Sequence, residues 1–90
     1  MTLKDVDAFI TDEFATKAHM ARWTRPVYCD GLTLTNVTTK TDPDYIRLVQ
    51  VSWKGDVVGV IKFDYDLRKW SESRKLIAFR IWKEIEKFNA

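Results

Sequence analysis

The chain has little that punctuates or cross-links it. Across 90 residues there is one cysteine, Cys29, so an intrachain disulfide is excluded. Three glycines and two prolines are too few for a low-complexity or disordered chain. A single histidine leaves no Cys/His cluster for a structural metal, and no glycine-rich loop is present to cradle a phosphate. No apolar run approaches the roughly 18 residues of a membrane span, and the N-terminus carries no signal-peptide pattern. The expectation is one cytoplasmic domain, residues 1–90, with a modest core and no room for a deep catalytic cleft.

What the chain has in quantity is aromatic side chains: four Trp, three Tyr and five Phe. That load exceeds the needs of so small a core and places some rings at a surface. The net charge of +2 is spread unevenly, because residues 1–45 carry five Lys/Arg against seven Asp/Glu and residues 46–90 carry ten against six. The second half therefore has a basic bias, which alone is no nucleic-acid signature.

Residues 45–65 organise the rest. Two runs rich in β-branched and aromatic residues, Tyr45 to Trp53 and Val57 to Tyr65, flank Lys54-Gly55-Asp56, the strongest hairpin signal in the chain. Regular pairing across either two-residue turn puts Tyr45, Arg47, Val49, Val51, Trp53, Val58, Val60 and Lys62 on one face. The other face then carries Ile46, Leu48, Gln50 and Ser52 with Val57, Gly59, Ile61, Phe63 and Tyr65. Both faces are apolar at their centres, and helices of so short a chain readily cover only one. The face with fewer charges, holding Ile46, Leu48, Ile61 and Phe63, is expected to meet the helices.

Helical spacing of Leu3, Val6, Ile10, Phe14, Ala18 and Ala21 predicts an N-terminal helix over about 3–22, with Thr2 and Asp5 as a capping pair and a break near Ile10, at Thr11, as an alternative. Pro26 ends it. Val27-Tyr28-Cys29 and Leu32 to Thr39 flank Asp30-Gly31, a dipeptide suited to a type I′ turn, and Thr33 and Thr35 give the longer strand a polar outer face. A last helix, about Glu72 to Phe88 with Ser71 or Ser73 as cap, sets Ile77, Ala78, Ile81, Trp82, Ile85 and Phe88 on one arc. Arg80, Lys83 and Lys87 line the opposite arc with Leu76 and Phe79, which are either covered by the preceding loop or form an apolar spot within a basic rim. The fold class is α+β: a three- to four-stranded antiparallel sheet between two helices.

That order resembles the double-stranded RNA-binding domain. Val49-x-Val51-x-x-x-Gly55-x-x-x-Gly59 is similar to that family's second and third strands, and Ser73-Arg74-Lys75 falls where the family places a Ser and a Lys pair at the start of its last helix. The resemblance covers the second half of the chain and is one of topology, which does not by itself imply function.

Catalytic chemistry finds little support. His19 sits among polar helix positions, and Cys29 has no neighbour that would lower its pKa. Asp42-Pro43-Asp44 with Val60-Ile61-Lys62 resembles the pattern of metal-dependent nucleases, but Val60 stands where the second carboxylate is required. Asp64 and Asp66 share a strand face, and solvated acids are the commoner meaning of such a pair. No enzyme activity, metal or cofactor is therefore expected. The reading favoured is a protein-interaction module, an adaptor or inhibitor of the sort phages and mobile elements encode, binding a protein partner or a second copy through Tyr45, Arg47, Val49, Val51, Trp53, Val58, Val60 and Lys62. The alternative is nucleic-acid binding through Arg68, Lys69, Arg74, Lys75, Arg80, Lys83 and Lys87, with Trp53 or Tyr45 stacking on bases.

Overall fold

The computed structural model describes residues Met1–Ala90. The chain runs α1 (Leu3–Glu13), α2 (Lys17–Ala21), β1 (Val27–Cys29), β2 (Leu32–Asn36), β3 (Ile46–Trp53), β4 (Asp56–Asp64) and α3 (Trp70–Asn89). This is a small α+β fold with one antiparallel sheet in the order β1-β2-β3-β4.

Helix α1 starts as its sequence indicates. The Asp5 N–H donates to Thr2 Oγ1 at 3.2 Å and the Thr2 N–H to Asp5 Oδ2 at 2.9 Å, a complete capping box. These bonds hold the Asp5 carboxyl below its ordinary pKa, the backbone N–H of Thr2 being the main cause. The expected continuous helix over 3–22 is interrupted, and the interruption lies at Phe14–Thr16 rather than near Ile10. Thr11 stays helical, its hydroxyl donating back to the Asp7 carbonyl (2.8 Å) instead of capping a new helix. Phe14 leaves the helix to pack edge-on against Trp23, with ring centroids 4.9 Å apart, while its carbonyl accepts the Trp70 indole N–H at 2.8 Å. Thr16 then caps α2, pairing reciprocally with His19.

The hairpin turn is Lys54-Gly55, with φ of +51° and +91°, as a type I′ turn requires. At the other turn only Asp30 has positive φ (+51°), so Asp30-Gly31 is not the type I′ turn expected. Between β3 and β4 the pairing departs from regularity once. Trp53 faces Asp56 and Ser52 faces Val57, but Val51 faces Gly59, so Val58 is an extra residue, a β-bulge. One inserted residue sends every later β4 side chain to the opposite face.

The bulge overturns the expected division of faces. Val49, Val51 and Trp53 share a face with Ile61 and Phe63, joined by Leu32 and Leu34 of β2, and all seven are buried. On this face pack Val6, Phe9 and Ile10 of α1 and Ile77, Ala78, Ile81 and Ile85 of α3. Ile61 and Phe63 thus lie under the helices as expected, whereas Leu48 points to the other side and Ile46, though buried, lies outside the main cluster. Along α3 the anticipated arc is buried as far as Ile85. Trp82 is half-buried, and Phe88 in the final turn is exposed. The helix begins at Trp70, upstream of the expected cap, with the Glu72 and Ser73 N–H groups donating to the Lys69 carbonyl and the Trp70 indole bonded to Phe14; Lys69 is the N-cap without a side-chain bond, and Ser73 is inside the helix.

Strand β2 ends at Asn36, short of the expected Thr39; the Val37 N–H still donates to the Leu48 carbonyl at 2.9 Å, and beyond it side chains take over. Thr38 Oγ1 accepts the Leu48 N–H (3.0 Å) and donates to Asn36 Oδ1, whose amide Nδ2 in turn donates to the Trp23 carbonyl at 2.8 Å. The following loop closes on Asp42, whose Oδ2 accepts the Thr39 N–H and hydroxyl, each at 2.9 Å.

Candidate functional site

With both long helices on one side, the other face of the sheet has no helix. Alternation along each strand places there Tyr28 of β1, Thr33 and Thr35 of β2, Ile46, Leu48, Gln50 and Ser52 of β3, and Val57, Val60, Lys62 and Asp64 of β4. The apolar members at the two edge strands are the most open: Tyr28 is 67% exposed, Val57 60% and Val60 53%. Charged residues make up 31% of the chain, yet this face holds two, Lys62 and Asp64, both in the last three residues of β4. Low charge with an aromatic residue and β-branched side chains is the composition of an interface centre rather than of an ordinary wet surface.

The residues expected to form the partner surface are divided by the fold. Val60 and Lys62 lie on the helix-free face. Tyr45 is exposed just before β3, and Val58, the bulged residue, is half-buried against the core. Val49, Val51 and Trp53 are core residues, at 1%, 0% and 6% exposure, because the bulge aligns them with Ile61 and Phe63 under the helices. Trp53 is therefore not a surface residue, and no base can stack on it. Arg47 is a structural clamp. Its guanidinium donates to the Ala21 and Asp44 carbonyls, both at 2.9 Å, and lies 4.8 Å over the Tyr65 ring, pinning the end of α2 to the loop before β3. Tyr28, Val57, Leu48, Gln50 and Ser52 were not anticipated as a binding surface, although the Thr33/Thr35 alternation already marked an outer face on β2.

The basic residues of the second half do not form one field. Lys83 lies about 6 Å over both Phe79 and Trp82, Lys87 is 3.4 Å from Glu84, and Glu72 and Glu86 are exposed on the same helix. Arg74 is half-buried with an unpartnered Nε, and Ser73 is buried, so two of the three positions resembling the RNA-binding family's motif are turned from solvent. Leu76 and Phe79 are exposed, 38% and 44%. Phe79 borders an open trough of about 450 Å³ between α1 and α3, whose other walls are Leu3, Lys4, Asp7 and Lys75. Leu76 borders a smaller cleft, of about 200 Å³, shared with Leu67 and Arg68 of the loop before α3.

No catalytic constellation assembles. Burial pushes the Cys29 thiol pKa up, which keeps it protonated and a poor nucleophile. Asp64 Oδ1 accepts the Asp66 N–H at 2.8 Å while Asp66 pairs with Lys17, so the two carboxylates are engaged apart. Nowhere do three or more His, Cys, Asp or Glu side chains converge as metal ligands. No helix is long and apolar enough to cross a membrane. Comparison with family models, curated proteins and solved structures returned no match.

Proposed function

We propose that this protein is a non-enzymatic binding module that docks on another protein through the helix-free face of its sheet. The observation that carries the reading is the exposure of Tyr28, Val57 and Val60 on a face whose only charges, Lys62 and Asp64, stand together at the end of β4. A nucleic acid would need several cations there to replace its counterions, and Lys62 is alone. A protein surface needs the reverse: apolar and hydroxyl-bearing side chains that dry readily, with few charges to desolvate. The pairing of Thr33, Gln50 and Ser52 with Tyr28, Val57 and Val60 supplies both. Adaptor and inhibitor are the roles such a module performs, since it acts by occupying a surface.

The test uses the Val60→Asp variant. In lysate of the cells that naturally contain it, the wild-type protein is expected to migrate in an assembly well above its own 10.6 kDa. Val60→Asp is expected to migrate alone while keeping its stability within about 1 kcal/mol, since the residue is on the open side of an edge strand. Equal assembly of the two proteins would refute docking through this face.

A further inference from the structure

We infer that the cleft beside the first three turns of α3 is a binding site for the phosphoryl group of an apolar phosphate monoester. Three cations, Lys62, Arg68 and Arg80, line this space of about 200 Å³. None of them lies within ion-pair distance of a carboxylate: the ion pairs in the protein are Lys17 with Asp66 and Lys87 with Glu84. The one acid on the cleft wall, Asp64, has Oδ1 occupied by the Asp66 N–H. Arg80 is held at the rim by donating through Nη1 to the Lys62 carbonyl at 2.6 Å, which leaves its Nε and Nη2 with no protein acceptor. Unpaired like charges around one concavity repel each other, and an anion between them converts that repulsion into attraction.

A second observation is independent of the charges. Ser73 also lines the cleft, is only 3% exposed, and its Oγ has no hydrogen-bond partner. Buried hydroxyls are nearly always bonded, and a turn of the Ser73 side chain toward the cleft is what would give this one an acceptor from outside the chain.

Chemistry and size narrow the ligand. Three cations less the Asp64 carboxylate leave a charge of +2, which with a hydroxyl matches the charge of nearly −2 and the three acceptor oxygens of a phosphate monoester; a carboxylate, with one charge and two oxygens, leaves a positive charge unmatched. Phe63, Leu76 and Ile77 make the remaining wall apolar, which fits a hydrocarbon or aromatic ester group. The volume equals that of roughly six or seven waters and is below the range of pockets that hold whole drug-sized ligands, so a nucleotide does not fit. The site meets the proposed docking face at Lys62 and Asp64, but that reading rests on Tyr28, Val57 and Val60, so failure of the site leaves it standing.

Amide chemical-shift titration at physiological salt tests the site, with inorganic phosphate, phenyl phosphate and a phosphotyrosine peptide as probes. Saturable binding of phenyl phosphate is expected, with shifts confined to residues 62–68 and 73–80 and with weaker binding of phosphate alone. Arg80→Gln is expected to weaken it about tenfold and Ser73→Ala severalfold. Arg68→Gln, at an exposed residue with no hydrogen bond to lose, is expected to weaken it about tenfold with the melting temperature unchanged. A peptide that binds more tightly than phenyl phosphate assigns the site to a phosphorylated partner chain, and equal affinity assigns it to a small monoester; both uphold it. Shifts that never saturate and spread over Lys40, Lys54 and Lys83, or an Arg68→Gln variant that binds like wild type, would overturn it.

Discussion

Val60 and Ile61 are adjacent in sequence, similar in chemistry and opposite in fate, so truncating each in turn measures the effect of the β-bulge directly. Ile61 is 3% exposed and stands opposite Val49 in the core; Val60 is 53% exposed and stands opposite Gln50. Ile61→Ala removes buried carbons and leaves a cavity under α3, at a cost of about 2–5 kcal/mol. Val60→Ala removes atoms that are mostly wet and leaves no cavity, so its cost is about 0.5 kcal/mol, with a few tenths more from lost strand propensity. A domain of this length has about 5–13 kcal/mol in total, and each kilocalorie shifts the melting temperature by roughly 4–8 °C. Urea unfolding of the two variants is therefore expected to give midpoints far apart, with Ile61→Ala close to the limit of folding and Val60→Ala near wild type. Had the hairpin paired without the bulge, with the helices still over Val49, Val51 and Trp53, Val60 would face Val49 in the core and the order would invert. Equal costs, or a larger one for Val60→Ala, would refute the register on which the helix-free face depends.

Trp53, placed under the helices, is expected to lose about 3–5 kcal/mol on substitution by Ala, seen as a large drop in melting temperature; an unchanged melt would return that ring to the surface. The loop before β3 makes stability depend on acid. The Asp42 carboxyl lies below its ordinary pKa, chiefly because it accepts the Thr39 N–H, so its contribution is complete above the unfolded value of about 4 and is lost as pH falls through the lower folded value. Urea titrations of wild type and Asp42→Asn at about pH 6 and pH 2 are expected to show a larger acid loss for wild type; parallel losses would contradict the assignment.

The order and type of the elements can be read from the sequence because each carries a local signal: the Thr2/Asp5 capping box, the Lys54-Gly55 turn between two strand-like runs, and the 3.6-residue period of Ile77, Ala78, Ile81 and Ile85. The facing of β4 cannot. Val57-Val58-Gly59-Val60-Ile61 has no polar residue to show which positions are wet, so nothing in it distinguishes a bulged register from a regular one. Packing makes the choice. The bulge brings Ile61 and Phe63 to the side of Val49, Val51 and Trp53, gathering one strongly apolar face where regular pairing would have made two mediocre ones. Gly59 then sits beneath α3 with the Glu84 carboxylate so near that a Cβ there would approach it to 2.7 Å. The break after α1 is similar, since it is set by contacts of Phe14 with Trp23 and Trp70 that are distant in sequence. An uncovered sheet face was therefore foreseeable, but its residues were not: Val60 and Lys62 stay on it, Tyr28 and Val57 join it, and Val49, Val51 and Trp53 leave.

The central claim, that the helix-free face is where a protein docks, is tested most directly by a photo-reactive amino acid placed at position 60 and, as a control, at position 86 on the exposed side of α3. Irradiated in its native cells, the protein labelled at 60 is expected to form one discrete adduct. The added mass is that of the partner, or a second 10.6 kDa if the partner is another copy of the chain. The protein labelled at 86 is expected to form none. No adduct from 60, or the same adduct from both positions, would contradict the account.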